Sequence, residues 1–309
     1  MHAHRSAIVL PPPLQRRLEA AAHAFIQGET GFDADFSTPA GEPALAAPDS
    51  ISWRVFKNPL SLFVGGVAAV LLELAEPRVR EGVWRNTAFR NDPLQRIRRT
   101  GLSAMMTVYG PRSRAEAMIA RVRALHARVA GTTPAGLPYR ADDPELLTWV
   151  HATASYGFLE AYCRYVDPLH EVARNRFYAE GASSAKLYGA DRFPASQQEL
   201  DILFVTMGDK LEASTVVFEF LDIVRRVRLL PPPLARVQEL LVKAAISILP
   251  GWVRERLTLG DAWDLSRWQR RMIARGGALI DRIPLHAAPP AQACRRLGLA
   301  EDYLYARRR

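Results

Sequence analysis

Residues 59–77 read "PLSLFVGGVAAVLLELAEP", the longest hydrophobic stretch of the chain. A glycine pair interrupts it and Glu73 sits inside it. Its uninterrupted apolar length stays near or below the ~20 residues that span a bilayer. The stretch therefore reads as a helix buried in a protein core, because a helix without a polar face must be covered all round. Asn58-Pro59 supplies an N-cap and a first-turn proline, and Pro77 ends the run.

Helical periodicity continues outward in both directions. An amphipathic helix is predicted over 14–27, behind the prolines Pro11–Pro13, then a loop rich in Gly, Pro, Ala and Asp over 28–48. Asp49 and Ser50 are placed to cap a short helix over "ISWRVFKN". Asp92-Pro93 starts a helix over "DPLQRIRRTGLSAMMTVYG", stopped by Gly110-Pro111, and Ser113 opens a further helix closed by Gly131. "GTTPAGLPYRADD" reads as a loop, and Asp143-Pro144 begins a long helix that ends before Pro168. More helices are predicted near 171–188, 196–212, 214–228, 233–248, 262–280 and 291–298. No stretch alternates like a strand between hairpin turns, and no repeat is present. The reading is all-α: an N-terminal helix and loop over 1–48, then one helical domain over 49–309 in which Pro231–Pro233 form a hinge-like break.

Composition narrows the function. The 309 residues are 49% apolar and 24% charged, enough for a sizeable core. The net charge of +9 is carried mostly by arginines, including Arg307–Arg309 at the end. They are scattered over many helices, mixed with acids and accompanied by no RNA- or DNA-binding motif, so a nucleic-acid partner is not expected. A peripheral membrane contact stays open. Cys163 and Cys294 lie too far apart for a disulfide framework, which suits a reducing cytoplasm. The apolar run near the N-terminus is too short for a secretory signal, so a cytoplasmic location is expected.

Zincin, Cys-x-x-Cys, haem-attachment, Glu-x-x-His, P-loop, dinucleotide-binding and Gly-x-Ser-x-Gly motifs are all missing, which removes most hydrolase, kinase and dehydrogenase readings. What remains centres on histidine. In "RVRALHARVAG" (121–131), His126 lies on or beside the apolar stripe of Met118, Ile119, Val122, Leu125 and Val129. A ring nitrogen buried there needs a partner or a metal, since an unpaired polar group costs roughly 2–7 kcal/mol. His151 is on the next long helix. A zinc set of His126, His151 and Asp167 or His170 matches no familiar spacing, whereas an axial haem ligand needs one imidazole alone. Arg96, Arg99 and Thr100, at i, i+3 and i+4, share a helix face and form either a solvated surface or a set of donors aimed into a pocket. Glu76 is either a base or, more simply, the partner of an arginine.

Several motifs recur in order: "NPLSLFVGGVAAVLLELAEPRVREGVW", "FRNDPLQRIRRTG", "MTVYGPRSRAEAMIARVRALHARVAGTTPAGLPYRADDPELLTWVHAT", "FYAEGASSAKLYG" and "CRRLGLAEDYLY". Together they resemble the bacterial MpaB/rubber-oxygenase family, which includes latex clearing protein, most closely over about residues 50–220. The resemblance implies a helical domain with a globin-like core that holds haem b non-covalently. It also implies an oxidoreductase that uses O2 on hydrophobic, isoprenoid-like or aromatic small molecules. The family's His-Ala-x-Val pattern falls on "HARV", which makes His126 the implied iron ligand, with His151 as the fallback. The family's distal Arg-x-x-Lys-Thr becomes Arg96, Arg99 and Thr100, so an arginine stands where the family has a lysine. A guanidinium effectively cannot lose its proton to coordinate iron, so Arg99 is left as a hydrogen-bond donor. Glu76 is the candidate base, and Phe63, Met105 and Met106 are candidate linings of a substrate channel. Two other readings stand beside this one: a haem-binding sensor or carrier without catalysis, and a haem-free helical interaction protein.

Overall fold

Asn58 sets the start of the central helix. Its side chain accepts hydrogen bonds from the backbone N–H groups of Leu60 (3.0 Å) and Ser61 (3.3 Å), and Pro59 fills the first turn. The computed structural model describes residues 7–8, 10–27, 34–86, 89–228 and 235–305. Within it the central helix, α3 (Pro59–Ala75), buries Val64, Ala68, Leu71, Leu72, Leu74 and Ala75 completely. Its principal partner is the long helix α7 (Pro144–Tyr165), which Asp143 caps by accepting from Glu145 N at 2.8 Å. The two helices cross where Gly65 meets Gly157, a contact too close for side chains on either.

The other helices wrap this pair, and one apolar core runs through nearly all of them. In order they are α1 (Pro12–Gln27), α2 (Ile51–Phe56), α4 (Pro77–Asn86), α5 (Pro93–Tyr109) and α6 (Arg112–His126) before α7. After it come α8 (Glu171–Tyr188), α9 (Gln197–Gly208), α10 (Thr215–Arg226), α11 (Ala235–Ser247), α12 (Gly251–Arg256), α13 (Arg267–Ile280) and α14 (Pro289–Arg296). The architecture is all-α, as the periodicity predicts. Ser50 and Asp92 cap α2 and α5 as expected, at 3.1 and 3.2 Å. Among the described residues no single helix is long and apolar enough to cross a membrane. The break at Pro231–Pro233 and the arginines at 307–309 lie outside the described residues.

Four departures have local causes. Pro77 ends α3 but also opens α4, bent from α3 by 112°, because a residue without an N–H suits a first turn as well as a stop. The short α12, beginning at Gly251 behind Pro250, lies between the predicted helices over 233–248 and 262–280. The segment after α6 is an antiparallel hairpin rather than plain loop, β1 (Ala130–Thr132) on β2 (Pro138–Arg140), turning at Gly136 with φ +83°. Strands of three residues are too short to show alternation. Finally, α6 begins after Pro111 without a side-chain cap, since Ser113 bonds to Glu42 instead, and it ends at His126. Val129 therefore lies beyond the helix and Leu125 is 61% exposed, so the predicted apolar stripe is confined to Met118 and Ile119, with Val122 half-buried.

The C-terminal "CRRLG" motif also acquires a physical role. Arg296 is buried and donates to the carbonyls of Phe36, Glu42 and Tyr109 (2.5, 2.8 and 2.8 Å), tying the segment before α2 to the end of α5.

Candidate functional site

One stripe of α3 is not sealed like the rest. Phe63, Gly66, Val70 and Glu73 are each partly exposed, at helical spacing, while residues between them are buried. A Cβ on Gly66 would meet only the Phe158 ring, at 3.9 Å, whereas one on the neighbouring Gly65 would strike backbone at 2.7 Å. Gly65 is thus needed for packing, and Gly66 opens a surface.

Beyond the Glu73 end of this stripe, side chains from four helices act on one another in sequence: Glu73 on α3 with Arg96 on α5, Arg96 with His126 on α6, and His126 with His151 on α7. Burial pushes the Glu73 carboxyl up to about 7, against the pull of the Arg96 guanidinium on α5. Burial likewise lowers Arg96, with Glu73 acting to restore it. Arg96 donates from Nη1 to the Thr100 hydroxyl at 2.5 Å and stacks over Phe89 at 5.2 Å, while its buried Nε has no partner. At the C-terminal end of α6, His126 is held below its ordinary range by burial and then by Arg96, against a smaller pull from Asp142. Its Nδ1 is buried without a hydrogen-bond partner. Burial, then the proximity of His126, drops His151 on α7 to about 4. The His151 ring packs on Tyr188 of α8 (centroids 4.6 Å apart), whose hydroxyl lies 3.1 Å from that of Thr107 on α5. Both imidazoles are accordingly neutral at pH 7.

The remaining predicted residues fall elsewhere. Arg99 and Thr100 are exposed, and Arg99 bonds Gln95 at 3.4 Å, so only Arg96 of the trio is drawn inward. Glu76 takes the pairing role. One oxygen binds Arg78 Nε and the other accepts from Val79 N, both at 2.7 Å, so this buried carboxylate caps α4 and is fully engaged. Phe63 belongs to the open stripe, whereas Met105 and Met106 are buried in the core. Asp167 pairs with Arg54 and His170 caps α8, so neither joins the two histidines. No group of three or more metal-ligating side chains exists among the described residues. The depressions beside α10 are lined by ion pairs such as Arg225–Glu239 and bring together no comparable groups.

Glu73, Thr107 and Tyr188 were missed by the sequence reading. For Glu73 a signal existed: a carboxylate in an otherwise apolar helix, in phase with Phe63, Gly66 and Val70. Thr107 and Tyr188 carried none, because their pairing spans 81 positions of sequence.

No curated protein and no solved structure significantly matches the chain. A family profile does: residues 53–281, which contain every residue of the cluster, match the one described as "ER-bound oxygenase mpaB/B'/Rubber oxygenase, catalytic domain", and the chain belongs to that oxygenase family.

Proposed function

We propose that the protein is a haem b-dependent oxygenase acting on a hydrophobic small molecule and O2, with His126 as the proximal iron ligand. The observation that carries this reading is the His126 ring, held in its neutral form beside Arg96 and His151, with its buried Nδ1 bonded to no described residue. A neutral imidazole with an uncommitted nitrogen, beside an apolar wall, is what non-covalent haem requires. Phe63, Gly66 and Val70 form an apolar stripe on the helix that carries Glu73, with the Phe158 ring beside Gly66, a surface that suits a porphyrin and an isoprenoid-like or aromatic substrate. The donor set therefore fits the cofactor.

Bound haem supplies redox-active iron for chemistry with dioxygen. The chain supplies the rest. Arg96 provides a fixed positive charge and N–H donors, oriented by Thr100 and Phe89, for negative charge that develops during reaction. Glu73, titrating near neutrality, takes or returns a proton at its carboxylate. Arg99 remains outside as a donor for a polar group at the rim.

The test is absorption spectroscopy of protein expressed with haem supplied, for the wild type, His126→Ala and His151→Ala. Only His126→Ala should lose the Soret band. Full haem retention by His126→Ala reassigns the ligand, and a colourless wild type ends the haem reading. Ferrous protein incubated with O2 and isoprenoids should consume O2 and form an oxygenated product. Slow autoxidation with no product would leave a haem-binding protein without catalysis.

A further inference from the structure

Helix α13 presents an outward face that none of the described residues covers. It is anchored by its opposite side. Ile273 is buried, Gly277 packs against the Tyr165 carbonyl, and Asn58 Nδ2 donates to the Gly277 carbonyl at 3.0 Å. A capping box between Ser266 and Gln269 fixes its start. At 100° per residue, Trp268, Met272 and Leu279 fall within one narrow arc facing away from Ile273 and Gly277. They are 62%, 41% and 50% exposed.

The charges around this arc are of one sign. Arg271 and Arg275 fall in or beside it, Arg267 flanks it, and all three are exposed. Among the described residues none of the three makes an ion pair, and α13 contains no acid of its own. The carboxylates at its two ends are engaged elsewhere, Asp264 with Arg254 (2.7 Å) and Asp281 with Lys57 (2.9 Å). An exposed tryptophan with aliphatic neighbours between uncompensated arginines combines apolar insertion with attraction to anionic headgroups.

We propose that the α13 face is a peripheral docking surface for anionic lipid bilayers, with Trp268, Met272 and Leu279 entering the interface and Arg267, Arg271 and Arg275 against the headgroups. The charge pattern selects this occupant over a second copy of the chain. A two-fold contact through this face would press its arginines against their own copies. The face sits at the Tyr165 end of α7, about 20 Å along that helix from His151, and stands apart from the oxygenase reading.

The test is co-sedimentation of the full-length protein with vesicles of phosphatidylcholine alone or mixed with phosphatidylglycerol. The wild type should bind the mixed vesicles, release in high salt, and ignore pure phosphatidylcholine. Trp268→Ser with Leu279→Ser should reduce binding at least tenfold. Arg271→Gln and Arg275→Gln should each cost about fivefold and weaken the salt dependence. Both sets should melt like the wild type, since the altered side chains are exposed. Arg121→Gln, an equal charge change on a different surface, should leave binding intact. The proposal is overturned if the wild type does not bind mixed vesicles, if the α13 variants bind normally, or if the control loses as much. A wild-type dimer that Trp268→Ser dissociates would assign the face to a second copy instead.

Discussion

Gly65 and Gly157 meet backbone to backbone where α3 crosses α7. A Cβ on Gly65 would lie 2.7 Å from the Gly157 carbonyl oxygen, and a Cβ on Gly157 would collide with the Gly65 carbonyl. Neither obstacle is a flexible side chain, so an alanine must push the helices apart. Gly65→Ala and Gly157→Ala should each destabilise by about 1–3 kcal/mol or more, the range for overpacking. Gly66→Ala, one residue along, enters ordinary contact with the Phe158 ring and removes a flexible residue from a helix. It should be neutral or stabilise by up to about 1 kcal/mol. Thermal unfolding of the three variants checks the contrast, and similar losses in all three would contradict it.

That crossing also shows where sequence reading stops. The apolar run of α3, the caps at Ser50, Asn58, Asp92 and Asp143, and most helix spans follow from signals within a few residues. Which glycine of the pair packs and which opens a surface does not, because it depends on a helix some 90 residues away. The site divides the same way. His126 and Arg96 were legible from local pattern and family likeness, and the structure draws both inward. Glu76, the candidate base, lies three residues from Glu73, and its commitment to Arg78 and Val79 depends on where α3 ends and α4 turns. Arg99 shares the helix face of Arg96 on paper, yet it reaches Gln95 at the surface.

Glu76 and Glu73 should therefore respond in opposite ways to loss of charge. Glu76 holds Val79 N and Arg78 at the start of α4, a cap together with a partly buried ion pair. Glu76→Ala should destabilise by about 1–3 kcal/mol, from the lost cap and the stranded partners. Haem content and specific activity of the folded fraction should be unchanged. Urea unfolding combined with haem quantification separates the two. An inactive but stable Glu76→Ala would return the base role to this residue.

Glu73→Gln keeps the shape of the carboxylate and removes its proton exchange. Under the oxygenase reading it should retain the haem spectrum and lose about 100-fold or more in product formation, the usual contribution of a positioned acid–base group. Arg96→Gln should likewise bind haem through His126 and lose activity, and it should also shift Glu73 further upward by removing the charge that opposes burial. Product assays at pH 6–8 test this: Glu73→Gln should flatten any pH dependence that the wild type shows near 7, and unchanged turnover in Glu73→Gln would remove it from the mechanism.

The same buried groups give the haem-free protein two opposing pH dependences of stability. His151 falls from 6.5 to about 4 on folding, so between those values the unfolded chain binds the extra proton. Its contribution is present above pH 6.5 and is lost as the pH drops toward 4. His126, lowered for the same reason, acts in the same direction. Glu73 rises from 4.5 to about 7, so here the folded chain binds the extra proton. Its contribution is present below pH 4.5 and is lost as the pH climbs toward 7. In the wild type these slopes largely offset between pH 4.5 and 6.5. Glu73→Gln should expose the histidine slope, with stability rising by up to about 1.4 kcal/mol per pH unit per group. The variant should also exceed the wild type by on the order of 1–3 kcal/mol above pH 7, where burying the charged carboxylate is a cost. His151→Gln should expose the opposite slope, with stability falling as pH rises. Chemical denaturation of the three proteins from pH 4.5 to 8 measures both. Parallel curves would mean that Glu73 and His151 are well solvated and that the cluster is not the buried assembly described above.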